Sequence, residues 1–172
     1  MSELKVDTIT PNTVDRITGI QLYDASQWRV TADFAGTVDP IASNWEEVDT
    51  DGYGTLGSSV TEASGIFTMP AAGIYWINWS FCSIYVAADG YTSGFIKTTV
   101  DNSSYTDAAV AYANMYGGRF DTASISFLFD CVDTSTHKVA FRIVQNTNTS
   151  NKVIGDSGQN ENVVTFLRLG DT

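Results

Sequence analysis

The feature that most constrains the fold is an alternation of residue types along residues 73–85. Large apolar side chains occupy alternate positions: Tyr75, Ile77, Trp79, Phe81 and Tyr85. The positions between them are mixed: Trp76, Asn78, Ser80 and Cys82. Because successive side chains of a strand point to opposite faces, this period of two predicts a long β-strand with one face in the core.

A membrane-spanning helix is the alternative for this region, because the apolar stretch 71–88 approaches the length that crosses a bilayer. Asn78 and Ser83 interrupt the stretch, and Pro70 and Gly73 at its start favour a turn that enters a strand. We therefore expect a core strand and no membrane insertion.

The same alternation recurs towards the C-terminus. Residues 125–131 and 139–143 each alternate in this way, and the short polar residues 133–137 between them predict a hairpin that pairs the two strands. Residues 162–169 are apolar almost throughout, which predicts a strand covered on both faces. Aromatic and β-branched residues dominate and no segment keeps a helical period for long, so the sequence predicts an all-β, antiparallel domain.

The N-terminal segment differs from the rest of the chain. Residues 1–25 alternate only weakly and hold scattered apolar side chains, so they bury too little surface to offset the entropy of ordering the chain. We expect an extended attachment tail over residues 1–25 and one head domain over residues 26–172, a length typical of a single domain.

Charge and cysteine content restrict the classes of protein to which this chain can belong. Nine Lys and Arg against 20 Asp and Glu give a net charge of −11, which repels phosphate backbones and argues against nucleic-acid binding. Cys82 and Cys131 are too few for a disulfide framework, and we expect reduced, buried thiols. The first seven residues lack the basic and apolar regions of a secretory signal, so we expect a product made in the cytoplasm.

A family resemblance lies in residues 65–77. The segment resembles the pattern Gly-x-Phe-x-x-Pro-x-x-Gly-x-Tyr of the C1q and tumour-necrosis-factor superfamily, matched here by Gly65, Phe67, Pro70, Gly73 and Tyr75. The resemblance covers residues 28–172 and implies a jelly-roll β-sandwich. It also implies a homotrimer around an axis lined by aromatic side chains, for which the candidates are Tyr75, Trp79 and Phe166.

A second, shorter resemblance concerns the tail. Residues 2–10 and 17–20 are similar to N-terminal segments of phage fibre and other virion surface proteins, especially those of marine phages. With the absent signal, this implies a protein made in the bacterial host cytoplasm and carried on the virion surface. The tail would then attach the head to other virion proteins.

The residue patterns of enzymes are weak in this sequence. His137 is the single histidine and lies in a polar turn, with no nucleophile motif nearby. Glu46 and Glu47 are adjacent and would point to opposite faces of a strand, so they cannot flank one glycosidic bond. We therefore predict a protein that is not an enzyme and has no catalytic residues.

Two kinds of binding residue remain. Asp49 and Asp51 precede Gly52 and could bind Ca²⁺, although the same residues make an ordinary turn and the full calcium-binding loop is absent. No other cofactor is indicated. Exposed aromatic side chains beside Asn and Asp suit stacking on sugars, and the candidates in or near loops are Tyr91, Tyr105, Tyr112, Tyr116 and Asn148.

These expectations favour a non-enzymatic, homotrimeric phage virion protein, either a fibre or knob or a decoration protein. It would adhere to carbohydrate or protein on the host surface. Two alternatives stay open: a secreted C1q-like or tumour-necrosis-factor-like lectin or ligand, and a polysaccharide depolymerase tip.

Overall fold

The computed structural model describes residues 22–84, 90–115, 117–146 and 151–172. Within these ranges the chain forms strands joined by turns and loops. The strands are β1 (Ala25–Val30), β2 (Ala32–Ala35), β3 (Trp45–Glu47), β4 (Thr61–Ala63), β5 (Ile66–Thr68), β6 (Gly73–Ile84), β7 (Gly90–Thr99), β8 (Thr106–Met115), β9 (Phe120–Cys131), β10 (Lys138–Gln145), β11 (Lys152–Asp156) and β12 (Asn162–Gly170). No helix long and apolar enough to cross a membrane occurs in the described part of the chain.

The strands form two antiparallel sheets that pack face to face. In the larger sheet, β9 pairs with one edge of β6. On the other edge of β6, β12 pairs with residues 74–81 and β11 pairs with residues 83 and 84. β1 and β3 extend this sheet beyond β12, and β2 extends it beyond β11. The smaller sheet has the order β4-β5-β10-β7-β8. The predicted all-β, antiparallel architecture is therefore confirmed.

The alternation that predicted β6 is reproduced along the whole strand. Tyr75, Ile77, Trp79 and Phe81 are buried, whereas the residues between them are half-exposed on the outer face. Tyr85 lies outside the described residues. The inward side chains meet those of the smaller sheet in one core.

Phe67 lies at the centre of that core. Its ring is fully buried and contacts four other aromatic rings at centroid distances of 5.1–5.9 Å: Trp28, Trp45, Phe141 and Phe166. Three of these rings belong to the larger sheet and Phe141 to the smaller one. Phe67 therefore joins the two sheets through edge-to-face and tilted aromatic contacts, which are favourable geometries.

The turn between β5 and β6 depends on Gly73. Its φ is 152°, and a Cβ there would lie 2.5 Å from the carbonyl oxygen of Gly170, so only glycine fits. Two residues later, the Tyr75 hydroxyl donates to the carbonyl oxygen of Ala71 at 2.9 Å. Burial raises the pKa of Tyr75 to about 12, which keeps this donor protonated.

Two local expectations were wrong. Residues 133–137 form the predicted turn, in which His137 N donates to Asp133 O at 2.8 Å, but the turn leads from β9 in the larger sheet to β10 in the smaller one. No hairpin forms because β9 pairs with β6 and β10 with β5 and β7. In β12, one face is buried and most of the other is half-exposed, so the described residues cover the outer face only in part.

The head begins close to the predicted boundary. β1 starts at Ala25, and Asp24 O accepts a hydrogen bond from Arg168 N at 2.8 Å. Residues 1–21 of the predicted tail lie outside the described residues, so the division into tail and head stays a prediction.

Candidate functional site

The outer face of the smaller sheet carries a pair of exposed tyrosines. Tyr91 on β7 and Tyr112 on β8 are 39% and 60% exposed, and their rings form an edge-to-face pair with centroids 5.2 Å apart. The sequence placed both residues in or near loops, whereas the structure places them within strands. Of the other candidates, Tyr116 and Asn148 lie outside the described residues.

The next residues along β7 and β10 continue this face. Phe95 and Arg142 are register partners, and the guanidinium lies over the Phe95 ring at 4.0 Å from its centroid. A cation in this position is attracted by the electron-rich ring face. Val110, the partner of Phe95 on β8, lies beside them and is exposed.

Arg142 belongs to a line of alternating charges that we call the charged ladder, formed by Asp107, Arg142, Asp39 and Lys97. Arg142 donates to Asp107 Oδ2 at 2.8 Å, and its other terminal nitrogen lies 3.7 Å from Asp39 Oδ2. Lys97 Nζ donates to both oxygens of Asp39, at 2.7 and 2.8 Å. The ladder therefore balances two cations with two carboxylates.

Asp39 reaches this face because of the segment before it. Val38 and Ile143 form an antiparallel bridge, and Ile41 N donates to Phe141 O at 2.8 Å. Residues 38–41 thus follow the edge of β10 beyond the point where β5 ends, and they place Asp39 over the middle of the sheet.

Tyr105 lies at the far end of the ladder. It helps to line a cleft of about 340 Å³ together with Asp39, Pro40, Ile66 and Lys97. Burial, and then the charge of Asp101, raises the pKa of Tyr105, so its hydroxyl is a proton donor at neutral pH. We call the whole surface, from Tyr91 and Tyr112 through Phe95 and the charged ladder to Tyr105, the outer strip.

The turn that carries Tyr105 is held by Asp101. Its Oδ1 accepts hydrogen bonds from Ser104 N at 2.7 Å, Thr99 Oγ1 at 2.8 Å and Ser103 N at 2.9 Å. These bonds, that of Ser104 first, hold the pKa of Asp101 well below its usual range. The turn is therefore fixed at every pH at which the carboxylate is ionised.

The predicted calcium ligands lie on the opposite side of the molecule. Asp49 forms an ion pair with Arg29, and Asp51 lines a cavity of about 420 Å³ with Gln27, Tyr53 and others. In the described residues, no three His, Cys, Asp or Glu side chains gather into a group that could hold a metal ion. Calcium binding stays a prediction.

The outer face of the larger sheet carries a row of apolar residues that are neighbours across the strands. This apolar row, in spatial order, is Leu56, Ala25, Leu167, Trp76 and Leu128. Leu56 is 46% and Leu128 60% exposed. The proposed trimer contacts Tyr75, Trp79 and Phe166 are instead buried inside the chain's own core, because they occupy the inward positions of β6 and β12.

His137, Glu46 and Glu47, which were weighed as catalytic residues, form hydrogen bonds with different neighbours and not with one another. His137 Nδ1 lies 3.0 Å from Thr136 Oγ1, and its ring packs near Phe129. Glu46 bonds to Arg29, whereas Glu47 accepts from the hydroxyls of Tyr53 and Thr55. That this chain is not an enzyme stays a prediction.

Sequence reasoning missed Phe95, Arg142 and Asp39. The first two could have been found, because Tyr91, Phe95 and Lys97 share the odd positions of β7 and Arg142 occupies an outward position of β10. Asp39 gave no such signal, since it lies in a loop far from both strands in the sequence.

Both cysteines are free. Burial raises the pKa of the Cys131 thiol to about 11 and also raises the pKa of Cys82, which is half-exposed rather than buried as expected. Because the thiolate is the reactive form, we expect both to react slowly with Ellman's reagent in the folded protein at pH 8. In denaturant, two thiols per chain should react at once. Fast labelling of the native protein would contradict this expectation.

Comparisons with known proteins give the class of fold. No protein-family model and no curated protein matches this sequence. Among solved structures, the chain is similar to Eiger TNF from S. frugiperda, with a TM-score of 0.65, 12% identity and coverage of 88% of this chain and 96% of that one. It is also similar to murine APRIL at pH 8.5, with a TM-score of 0.59, 10% identity and coverage of 85% and 98%.

These likenesses concern the fold. The chain is an antiparallel jelly roll of the C1q and tumour-necrosis-factor type, as the motif in residues 65–77 predicted. At identities of 10–12%, function has to be argued from the surfaces described above.

Proposed function

We propose that this chain is the head of a homotrimeric, non-enzymatic recognition protein carried on a phage virion, where it contacts the host surface through the outer strip. The observation on which the proposal rests is the difference between the two outer faces. The larger sheet presents the apolar row, which suits association with identical copies. The smaller sheet presents aromatic rings and balanced charges, which suit a ligand.

The apolar row supports self-association. Paired strands lie about 4.8 Å apart, so the five neighbouring side chains form an apolar row roughly 19 Å long, exposed at both ends and half-exposed in the middle. Patches of this kind on soluble proteins mark interaction sites, and copies related by a closed rotation can cover them. With the likeness in fold to Eiger TNF and murine APRIL, this favours three copies around the larger sheet.

The N-terminal segment supports the setting on a virion. Residues 2–10 and 17–20 resemble the starts of virion surface proteins, and a segment with few apolar residues can gain order by docking on other proteins of the particle. The virion role rests on this resemblance.

The oligomer is tested by Leu128→Asp, which puts a charge in the apolar row. We expect the full wild-type chain to have a mass of about 56 kDa by light scattering, three times the 18.6 kDa of one chain, and the variant to fall to the monomer mass because an unpaired charge in an interface is costly. Val100→Asp is the matched control, since Val100 is 67% exposed at the end of β7 in the other sheet. A wild-type monomer at micromolar concentration would refute the trimer.

The setting is tested on purified particles. Gold-labelled antibody against the head should decorate the surface of intact virions, and the chain should be present in their protein content. Particles that lack the chain would overturn the virion role while leaving the trimer intact.

A secreted ligand is the second candidate, favoured by the fold shared with Eiger TNF and murine APRIL. Asn102-Ser103-Ser104 fits the Asn-x-Ser pattern of N-glycosylation, and Asn102 is exposed. In a secreted protein this asparagine could carry a glycan. A glycan on Asn102 in the natural protein would support secretion and exclude assembly in a bacterial cytoplasm.

A further inference from the structure

We propose that the outer strip binds a neutral, linear oligosaccharide that lies along β7. The inference deepens the recognition role proposed above by naming the class of ligand, and it rests on that role only for its biological setting. The geometry that supports it is the order of rings and charges along a single strand face.

The length of the strip suits an extended ligand. Tyr91, Phe95 and Lys97 project from the same face of β7, and at about 3.3 Å per residue the distance from Tyr91 to Lys97 is roughly 20 Å. Tyr105 and its cleft extend the surface beyond Lys97. A chain of several sugar rings fits a surface of this length, whereas a single sugar would contact only one end.

Aromatic rings stand at both ends of the strip. Tyr112 is 60% exposed and is braced by its edge-to-face contact with Tyr91, so its ring is held in place before any ligand binds. Tyr105 is half-buried in its cleft, on a turn fixed by Asp101. A tyrosine offers an apolar ring and a polar hydroxyl together, which matches the apolar face and the hydroxyl rim of a sugar.

The middle of the strip is polar and electrically balanced. Arg142 and Lys97 provide donors, and Asp39 and Asp107 provide acceptors, with all four side chains held by one another. Sugar hydroxyls both donate and accept, so a ladder of fixed donors and acceptors can bind them without reorganising.

The charge distribution selects a neutral ligand. The chain as a whole carries a net charge of −11, and the two cations of the ladder are already paired with two carboxylates. An acidic polysaccharide would meet no free cation there and would be repelled by the rest of the molecule. A protein partner that covered the ladder with apolar surface would desolvate it at a cost.

The binding test uses isothermal titration calorimetry with linear hexasaccharides of glucose, mannose and galactose, and hexagalacturonate as the acidic probe. We expect at least one neutral hexasaccharide to bind and hexagalacturonate to bind about tenfold more weakly or not at all. Absence of binding by all three neutral probes at millimolar concentration, or tighter binding of the acidic probe, would overturn the inference.

The site is tested by variants. Tyr112→Ala and Tyr105→Ala should each weaken binding about tenfold, since each removes one ring platform, and Tyr112→Phe should retain most of it. Phe120→Ala is the matched control, because Phe120 is an aromatic residue that is 63% exposed on the larger sheet. Equal affinities for Tyr112→Ala and Phe120→Ala would refute the location. Loss of sugar binding would leave the trimer mass and the antibody labelling of virions unchanged. Failure of this inference can therefore be distinguished from failure of the proposed function.

Discussion

Replacing Phe67 by alanine is expected to lower the free energy of unfolding by about 3–5 kcal/mol. The ring is fully buried and touches Trp28, Trp45, Phe141 and Phe166. Its removal leaves a cavity at the point where the two sheets meet, and the surrounding rings cannot all move to fill it. Urea unfolding followed by tryptophan fluorescence measures the change.

Phe120→Ala again provides the control, because its exposed ring should change stability by less than about 0.5 kcal/mol. If Phe67→Ala does not fold, Phe67→Leu keeps most of the volume and should cost less than the alanine variant. Equal stabilities of Phe67→Ala and the wild type would show that Phe67 does not anchor the core.

Replacing Arg29 by alanine is expected to cost about 1–3 kcal/mol, because its buried hydrogen bonds are lost while the carboxylates left behind are partly in solvent. Arg29 is 1% exposed although it lies on the outer face of β1, because Asp49 and Thr50, in the segment after β3, accept hydrogen bonds from its guanidinium. Its guanidinium donates to Glu46 Oε1 and Thr50 Oγ1, both at 2.7 Å, and also to Asp49. Without the guanidinium, the carboxylate of Glu46, which is 34% exposed, has lost the cation with which it was paired.

The control for Arg29 is an ion pair at the surface. Lys152 lies 3.5 Å from Asp33, and the two side chains are 50% and 40% exposed, so Lys152→Ala should cost less than about 1 kcal/mol. Thermal unfolding of the two variants beside the wild type makes the comparison. If both substitutions cost the same, burial of the Arg29 cluster contributes nothing to stability.

The face assignments of the long strands could be predicted from the sequence. In β6 the odd positions from Tyr75 to Phe81 are inward, because a strand alternates its side chains whatever it pairs with. The turn at Pro70 and Gly73 could be predicted for the same kind of local reason. Which strands pair with one another could not be predicted from the sequence. The turn at residues 133–137 has the composition of a hairpin turn, yet it connects strands of two different sheets.

The candidate site was predictable only in part. Tyr91, Tyr105 and Tyr112 were identified as aromatic candidates in or near loops; Tyr105 lies in a loop, whereas Tyr91 and Tyr112 belong to β7 and β8. The structure brings two of them together across β7 and β8 and places the third in a separate cleft. The sequence also left open which aromatic residues form the core and which lie between subunits: Tyr75, Trp79 and Phe166 were candidates for the trimer contacts and lie inside one chain.

The sequence by itself determined the strands β6, β9, β10 and β12 and which side of β6 faces inward, because both follow from local alternation and turn chemistry. Only the tertiary structure decided which strands are neighbours, and hence that Asp39 and Lys97, 58 residues apart, share a salt bridge on the outer strip. Contacts between distant segments depend on sheet order and register, which many sequences with the same alternation could satisfy differently.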